Sequence, residues 1–253
     1  MEERFIMKKK AFIMLLCAAL VITSAALGTI AYLTDRQAIT NVFTVGNVQI
    51  KVDETDVDLN GDPIPDENGN PVRKEEGNEY HLVPGKAYTK DPAVTVLKGT
   101  EDTYVRMLVT LTDAADINAV FDQLRAAYPA EDFSTEKFIT GWDKALWPLY
   151  EVRPDAVKNQ VVYEFRFHQV VAADPTQDQM LPILFQGFTL PGQMNGQQLE
   201  LIKDAQIIVE GHAIQVATFL TADDAWAAFD AQEVAENPDD STSGITVVPN
   251  PAP

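Results

Sequence analysis

Cysteine and histidine are the scarcest chemically useful residues here: one cysteine, Cys17, and three histidines, His81, His168 and His212, in 253 residues. Cys17 lies inside the first apolar run, so a chain processed beyond that run can form no disulfide and hold no thiolate metal site. Stability must then come from packing. Zinc hydrolysis needs close imidazole or carboxylate ligands, an open position and a general base, commonly as H-E-x-x-H on one helix. That motif is absent, and the three histidines are far apart in the chain, each reading as an ordinary strand or surface residue. No phosphate-binding loop, dinucleotide fingerprint or nucleophile elbow is present. Nothing in the sequence points to an enzyme. Basic residues are scarce too, 19 against 38 acidic ones, a net charge of −19. Such a surface repels phosphate backbones and anionic lipid heads, which argues against nucleic acid as a partner, and it suits cation-dependent association outside the cell. The carboxyl end lacks the apolar segment and basic cluster of a sortase-type signal, so any anchoring is expected to be non-covalent.

What is present begins at the amino end. Lys8, Lys9 and Lys10 precede an uncharged run from Ala11 to Leu33 that turns to small residues at Thr23, Ser24, Ala25, Ala26, Gly28, Thr29 and Ala31. This is the pattern of a signal peptide, 1–31, with Thr29 and Ala31 at the −3 and −1 places and cleavage between Ala31 and Tyr32. Met7, directly before the lysines, is a second candidate start. A retained membrane anchor is the other reading of the same run, and the uncleaved segment would be the only contact with a membrane.

The mature chain from 32 to 236 reads as one domain. Val48, Ile50 and Val52 alternate with Gln49 and Lys51, the mark of a half-buried strand. Further strands are expected at Ala93 to Leu97, Tyr104 to Leu111, Gln160 to Val171, Pro182 to Leu190 and Gln206 to Phe219. Between them, Ile117, Val120, Phe121, Leu124 and Tyr128 fall at three- and four-residue steps, and Pro129 stops the run, so an amphipathic helix follows Asp113. The segment from Phe133 to Tyr150, with Phe138, Trp142 and Trp147, reads as a helix or capping loop over the sheet. Thr221 and Asp224 form a capping box for a short helix carrying Trp226 and Phe229. Residues 237–253, rich in Pro, Asp, Ser, Thr and Asn, read as a disordered tail. The expected fold class is mainly β, a jelly-roll-like β-sandwich with a few inserted helices. No internal repeat is apparent beyond two loosely similar turns, Pro84-Gly85 and Pro191-Gly192.

Residues 53–78 are acidic and turn-forming, expected as an exposed loop or loosely held hairpin. Within them Asp56, Asp58, Asn60, Asp62 and Glu67 match the D-x-[DN]-x-[DN]-G pattern with a glutamate at the twelfth place, which makes a candidate Ca²⁺ site. No helix precedes Asp56, and Pro63 and Pro65 fall inside the loop, so solvated hairpin tips are the competing reading.

Three stretches resemble the TasA/camelysin family. They are Gly28-Thr29-Ile30-Ala31-Tyr32-Leu33-Thr34-Asp35 with Phe43-Thr44-Val45-Gly46-Asn47-Val48-Gln49-Ile50; Leu82-Val83-Pro84-Gly85 with Tyr88-Thr89-Lys90-Asp91; and Val209-Glu210-Gly211-His212-Ala213-Ile214-Gln215. The resemblance implies processing by a SipW-type signal peptidase, export to the cell surface or biofilm matrix of a Gram-positive cell, and a jelly-roll domain. It further implies self-association, or association with a related surface subunit, into fibres by donation of an amino-terminal strand. In this chain the donor would be Tyr32 to Phe43, with Leu33, Ile39, Val42 and Phe43 as its apolar contacts. Residues 113–200 carry no motif of the family. A monomeric adhesion module and a camelysin-like surface metalloprotease are the alternatives, the latter poorly served by three scattered histidines.

Overall fold

The computed structural model describes residues 34–38, 41–45, 48–217 and 219–236, the first two segments by their backbone alone. The proposed signal peptide, the tail from 237, and the residues Ala31, Tyr32, Leu33 and Ile39 lie outside them. The protein is mainly β, with three antiparallel sheets and few helices. Thirteen strands are described: β1 Thr34–Ala38, β2 Asn41–Val45, β3 Ile50–Thr55, β4 Arg73–Lys74, β5 Ala87–Thr89, β6 Ala93–Val96, β7 Thr103–Thr112, β8 Ile139–Thr140, β9 Leu149–Asp155, β10 Gln160–Arg166, β11 Gln179–Met180, β12 Gly187–Thr189 and β13 Ile207–Gln215. The helices are α1 Ala114–Ala127, α2 Thr135–Phe138, α3 Gly196–Leu201 and α4 Ala222–Glu236. Among the described residues no helix is long and apolar enough to cross a membrane.

The largest sheet has the order β2-β1-β13-β7-β10-β9; a second runs β11-β6-β3-β4 and a third β5-β12-β8. The alternation read in the sequence explains how the first two meet. Val48, Ile50, Val52, Val94 and Val96 from the smaller sheet share one buried cluster with Val105, Met107, Val109, Val209 and Ala213 from the larger. Gly211 is what lets the backbones come close, since a Cβ there would stand 2.4 Å from Val52 Cγ2. Trp147 closes this core, fully buried, with its indole N–H donating to Pro182 O at 2.8 Å. Trp142 lies edge-on to Phe165 and donates to Trp147 O. Both tryptophans are therefore structural, and neither offers an exposed adhesive platform.

A second apolar cluster, Val120, Leu124, Phe133, Met194 and Ile202, joins α1 to α3 beside the sheets. The helical period read from Ile117 to Leu124 thus faces this cluster, while Tyr128 stays exposed beyond the helix end. Half of the expected capping box before α4 forms: Thr221 Oγ1 accepts from the Asp224 amide, while Asp224 Oδ2 accepts from the Thr221 hydroxyl rather than from its backbone. The helix it starts is not short but runs fifteen residues.

Several expectations are corrected. Strand β9 was not anticipated, because its apolar Tyr150 and Val152 are exposed and it contains Pro154. The expected strand Pro182 to Leu190 contracts to β12, and Gln160 to Val171 to β10. Residues 53–55 are not loop at all; they extend β3 and are buried. Residues 56–72 contain the repeat that the sequence analysis missed, Asp58-x-Asn60-Gly61-x-Pro63 followed by Asp66-x-Asn68-Gly69-x-Pro71. In each copy the aspartate amide donates to the carbonyl of the residue four on, and the glycine takes positive φ, 79° at Gly61 and 85° at Gly69. That is a tight turn closed by a glycine bulge, built twice. The arm is also docked: the His81 amide donates to Leu59 O at 2.7 Å, and Gly61 packs on Tyr88.

Candidate functional site

The β13 edge is the first candidate. β13 pairs with β7 on one side along its whole length, and on the other with β1, Thr34 opposite Ile214 through Ala38 opposite Glu210. β2 then pairs with β1, Thr34 opposite Val45 through Ala38 opposite Asn41. The amino-terminal segment therefore ends in a hairpin that closes an otherwise open strand edge. Its inner strand, Thr34-Asp35-Arg36-Gln37-Ala38, meets β13 through an antiparallel backbone ladder. Of the apolar donor residues named from the sequence, Val42 and Phe43 fall in β2, opposite Gln37 and Arg36, one strand removed from β13.

The opposite edge of this sheet is treated differently. β9 carries Glu151, Arg153, Pro154 and Asp155 within seven residues and meets β10 through a register shift at Glu164/Phe165. Proline, charge and a bulge all discourage a further strand from pairing there.

Charge buried inside the fold forms two clusters that sequence reasoning did not find. On the sheet face away from the main core, Glu164 is 1% exposed and meets Arg166 at 2.6 Å, Arg153 at 3.1 Å and Arg106 at 3.6 Å. Arg106 donates through Nε to His212 Nδ1 at 3.1 Å and pairs with Asp230 of α4. An accepting Nδ1 places the neutral ring's proton on Nε2. Trp226 and Phe229 cover the guanidinium at 4.5 Å and 5.0 Å, and Phe229 stacks on His212. With Asp223 holding Arg166 and Tyr150, α4 is pinned over the sheet by ions as much as by apolar contact. His212 is thus a buried structural residue, while His81 and His168 are exposed.

The second cluster joins the acidic arm to the core. Lys90 Nζ meets Glu54 Oε2 at 2.7 Å, both almost wholly buried. Glu54 Oε1 accepts from the Asn78 amide and side chain, and Arg73 ties Asp53 to Asp91. Tyr80 donates its hydroxyl to Thr89 O, and burial, reinforced by the Glu54 charge, holds the phenol well above its ordinary value. Tyr80, Tyr88 and Phe188 form an aromatic trio with centroids 5.2–5.5 Å apart. Beside it the two Pro-Gly turns meet, Gly85 lying against Gly192.

The proposed Ca²⁺ ligands are divided between the two turns of the arm. Asp58 Oδ1 accepts from the Asn60 and Asp62 amides, Asp56 pairs with Lys74 at 2.6 Å, and Glu67 sits in the second turn. Asp66 repeats the role of Asp58, accepting from the Asn68 and Asn70 amides. These bonds, from Asp62 first and from Asn70 first, hold the Asp58 and Asp66 carboxyls below their ordinary value. Among the described residues no group of three or more His, Cys, Asp or Glu side chains is placed to hold a metal ion.

Comparison with protein-family models, with curated proteins and with solved structures returns no match for this chain.

Proposed function

We propose that this chain is an exported surface or matrix protein of jelly-roll type whose copies associate by exchanging the amino-terminal hairpin, β1 of one copy pairing with β13 of the next. The observation that carries this reading is the β1–β13 ladder: a strand near the amino end closes the edge of a strand near the carboxyl end. The same ladder made between copies keeps every backbone bond and costs only the entropy of association. Passing from copy to copy it does not close on itself, so it yields a filament. A SipW-type peptidase would free the segment by cutting between Ala31 and Tyr32, and a related surface subunit could supply or accept the hairpin as well.

The test uses the pair Ala38 and Glu210, opposite each other in the ladder. Antiparallel partners lie about 4.5–5.5 Å apart at Cα, within disulfide reach. A chain starting at Tyr32 and carrying Ala38→Cys and Glu210→Cys contains no other cysteine, so oxidation reports one pairing. Concentrated protein is expected to give a ladder of covalent multimers on a denaturing gel, with filaments by negative stain. A product that is intramolecular at every concentration would overturn the exchange.

A further inference from the structure

Between α1, α3, the three-stranded sheet and the start of β13 lies a cavity of about 860 Å³. Small-molecule sites typically span ~300–1,000 Å³ with apolar walls and a few placed polar groups. Here Ile117, Val120, Met194 and Ile202 line its apolar part together with the stacked rings of Phe121 and Phe138, while Asn78, Tyr80 and Lys90 are among its polar lining. A hydrocarbon body would fit the first part. The polar end decides the head.

Asn78 has its side chain committed, Nδ2 to Glu54 Oε1 and Thr55 O, Oδ1 to the Val57 amide. Tyr80 spends its hydroxyl proton on Thr89 O. Lys90, 3% exposed, makes its ion pair with Glu54 alone among the described residues. An ammonium carries three donors, so this one retains capacity, and a buried donor left unsatisfied is costly. Charge around it is already balanced or slightly negative: Lys90 and Lys203 stand against Glu79 and Asp204 among the lining residues, and behind Lys90 lie Glu54 and the Arg73, Asp53 and Asp91 group. An anionic head would meet the Glu54 carboxylate, and a cationic one would meet Lys90. An uncharged oxygen acceptor meets neither penalty.

We propose that this cavity binds an uncharged amphipathic molecule, its hydrocarbon body against Ile117, Val120, Phe121, Met194 and Ile202 and a hydroxyl or carbonyl oxygen accepting from Lys90. The proposal is independent of hairpin exchange and needs no second copy of the chain.

The test titrates three probes with ten-carbon chains, 1-decanol, decanoate and decyltrimethylammonium, into the full chain while the methyl resonances of Ile117, Met194 and Ile202 are followed. Decanol is expected to bind saturably and shift those methyls, with the two charged probes about tenfold weaker or worse. Filling the cavity with Ile117→Trp, or with Met194→Trp from the other wall should the first not fold, abolishes the shifts while leaving the remaining amide spectrum in place. Lys90→Met combined with Glu54→Gln strands no charge and is expected to cost decanol about tenfold, the scale of one lost hydrogen bond to a charged donor. Absence of saturable shifts up to the solubility of decanol, equal affinity for all three probes, or binding that survives the filled cavity would each overturn the assignment.

Discussion

At the scale of single residues, the fold turns on a few positions where size or protonation is fixed by a neighbour. Gly211 is one, because the two largest sheets touch at its Cα. Gly211→Ala forces Val52 or the backbone aside, and overpacking of this kind costs about 1–3 kcal/mol. Urea denaturation monitored by tryptophan fluorescence should show the midpoint fall with an unchanged slope. Tyr80 is another. Its phenol ionises above the ordinary value of 10.0, so the protonated form is the one the fold favours. The stability it contributes is complete below pH 10 and lost as pH rises through the raised folded value. Between pH 9 and 11 the native chain should lose stability faster than Tyr80→Phe, which lacks the ionisation, when the two are denatured side by side.

At the scale of elements, the arm at 56–72 makes a sharper case for local chemistry than for metal binding. Asp58 and Asp66 each close a turn by accepting two amides, and both carboxyls are depressed. Their contribution is therefore present above the ordinary value of 3.8 and lost as pH falls through the lower folded values. Amide exchange at Asn60, Asp62, Asn68 and Asn70 is expected to lose protection on that descent, and in the Asp58→Asn, Asp66→Asn double variant the protection should already be reduced at neutral pH. Legibility in the sequence varied for the same kind of local reason. β7, β13 and α1 were readable because Val105, Met107 and Val109, then Val209 and Ala213, then Val120 and Leu124 recur with the period of their element. β9 was not, since its half-buried places hold Glu151 and Arg153 and its exposed ones Tyr150 and Val152. The buried ions escaped notice because a sequence does not tell a charged residue on a solvated face from one enclosed by partners. Arg106 and Glu164 alternate correctly with the core of their strands, and only the covering by α4 makes their face an interior. The single available signal was Trp226 and Phe229, an apolar face on α4 that required something to cover.

At the scale of the whole molecule, the two ends of the six-stranded sheet are unlike. One is finished by the β1–β2 hairpin; the other is blunted by Pro154, charges and a bulge. The proposed strand exchange would thereby be confined to one end. Restoring a regular apolar edge with Glu151→Val and Pro154→Val is expected to turn β9 into a second template, seen as light scattering rising with time at concentrations where the parent chain stays clear. The register of β1 on β13 also sets an order of events. β1 is among the first segments made and β13 among the last, and their pairing spans almost the whole described chain, which makes it the slowest kind of contact to form. Until β13 exists, β1 is paired on one side only, with β2, and its other edge is open. On the proposed exchange, chains made side by side would each offer β1 to an edge that an older neighbour presents, so crowding at the point of synthesis, more than affinity, would set how far the copies become linked.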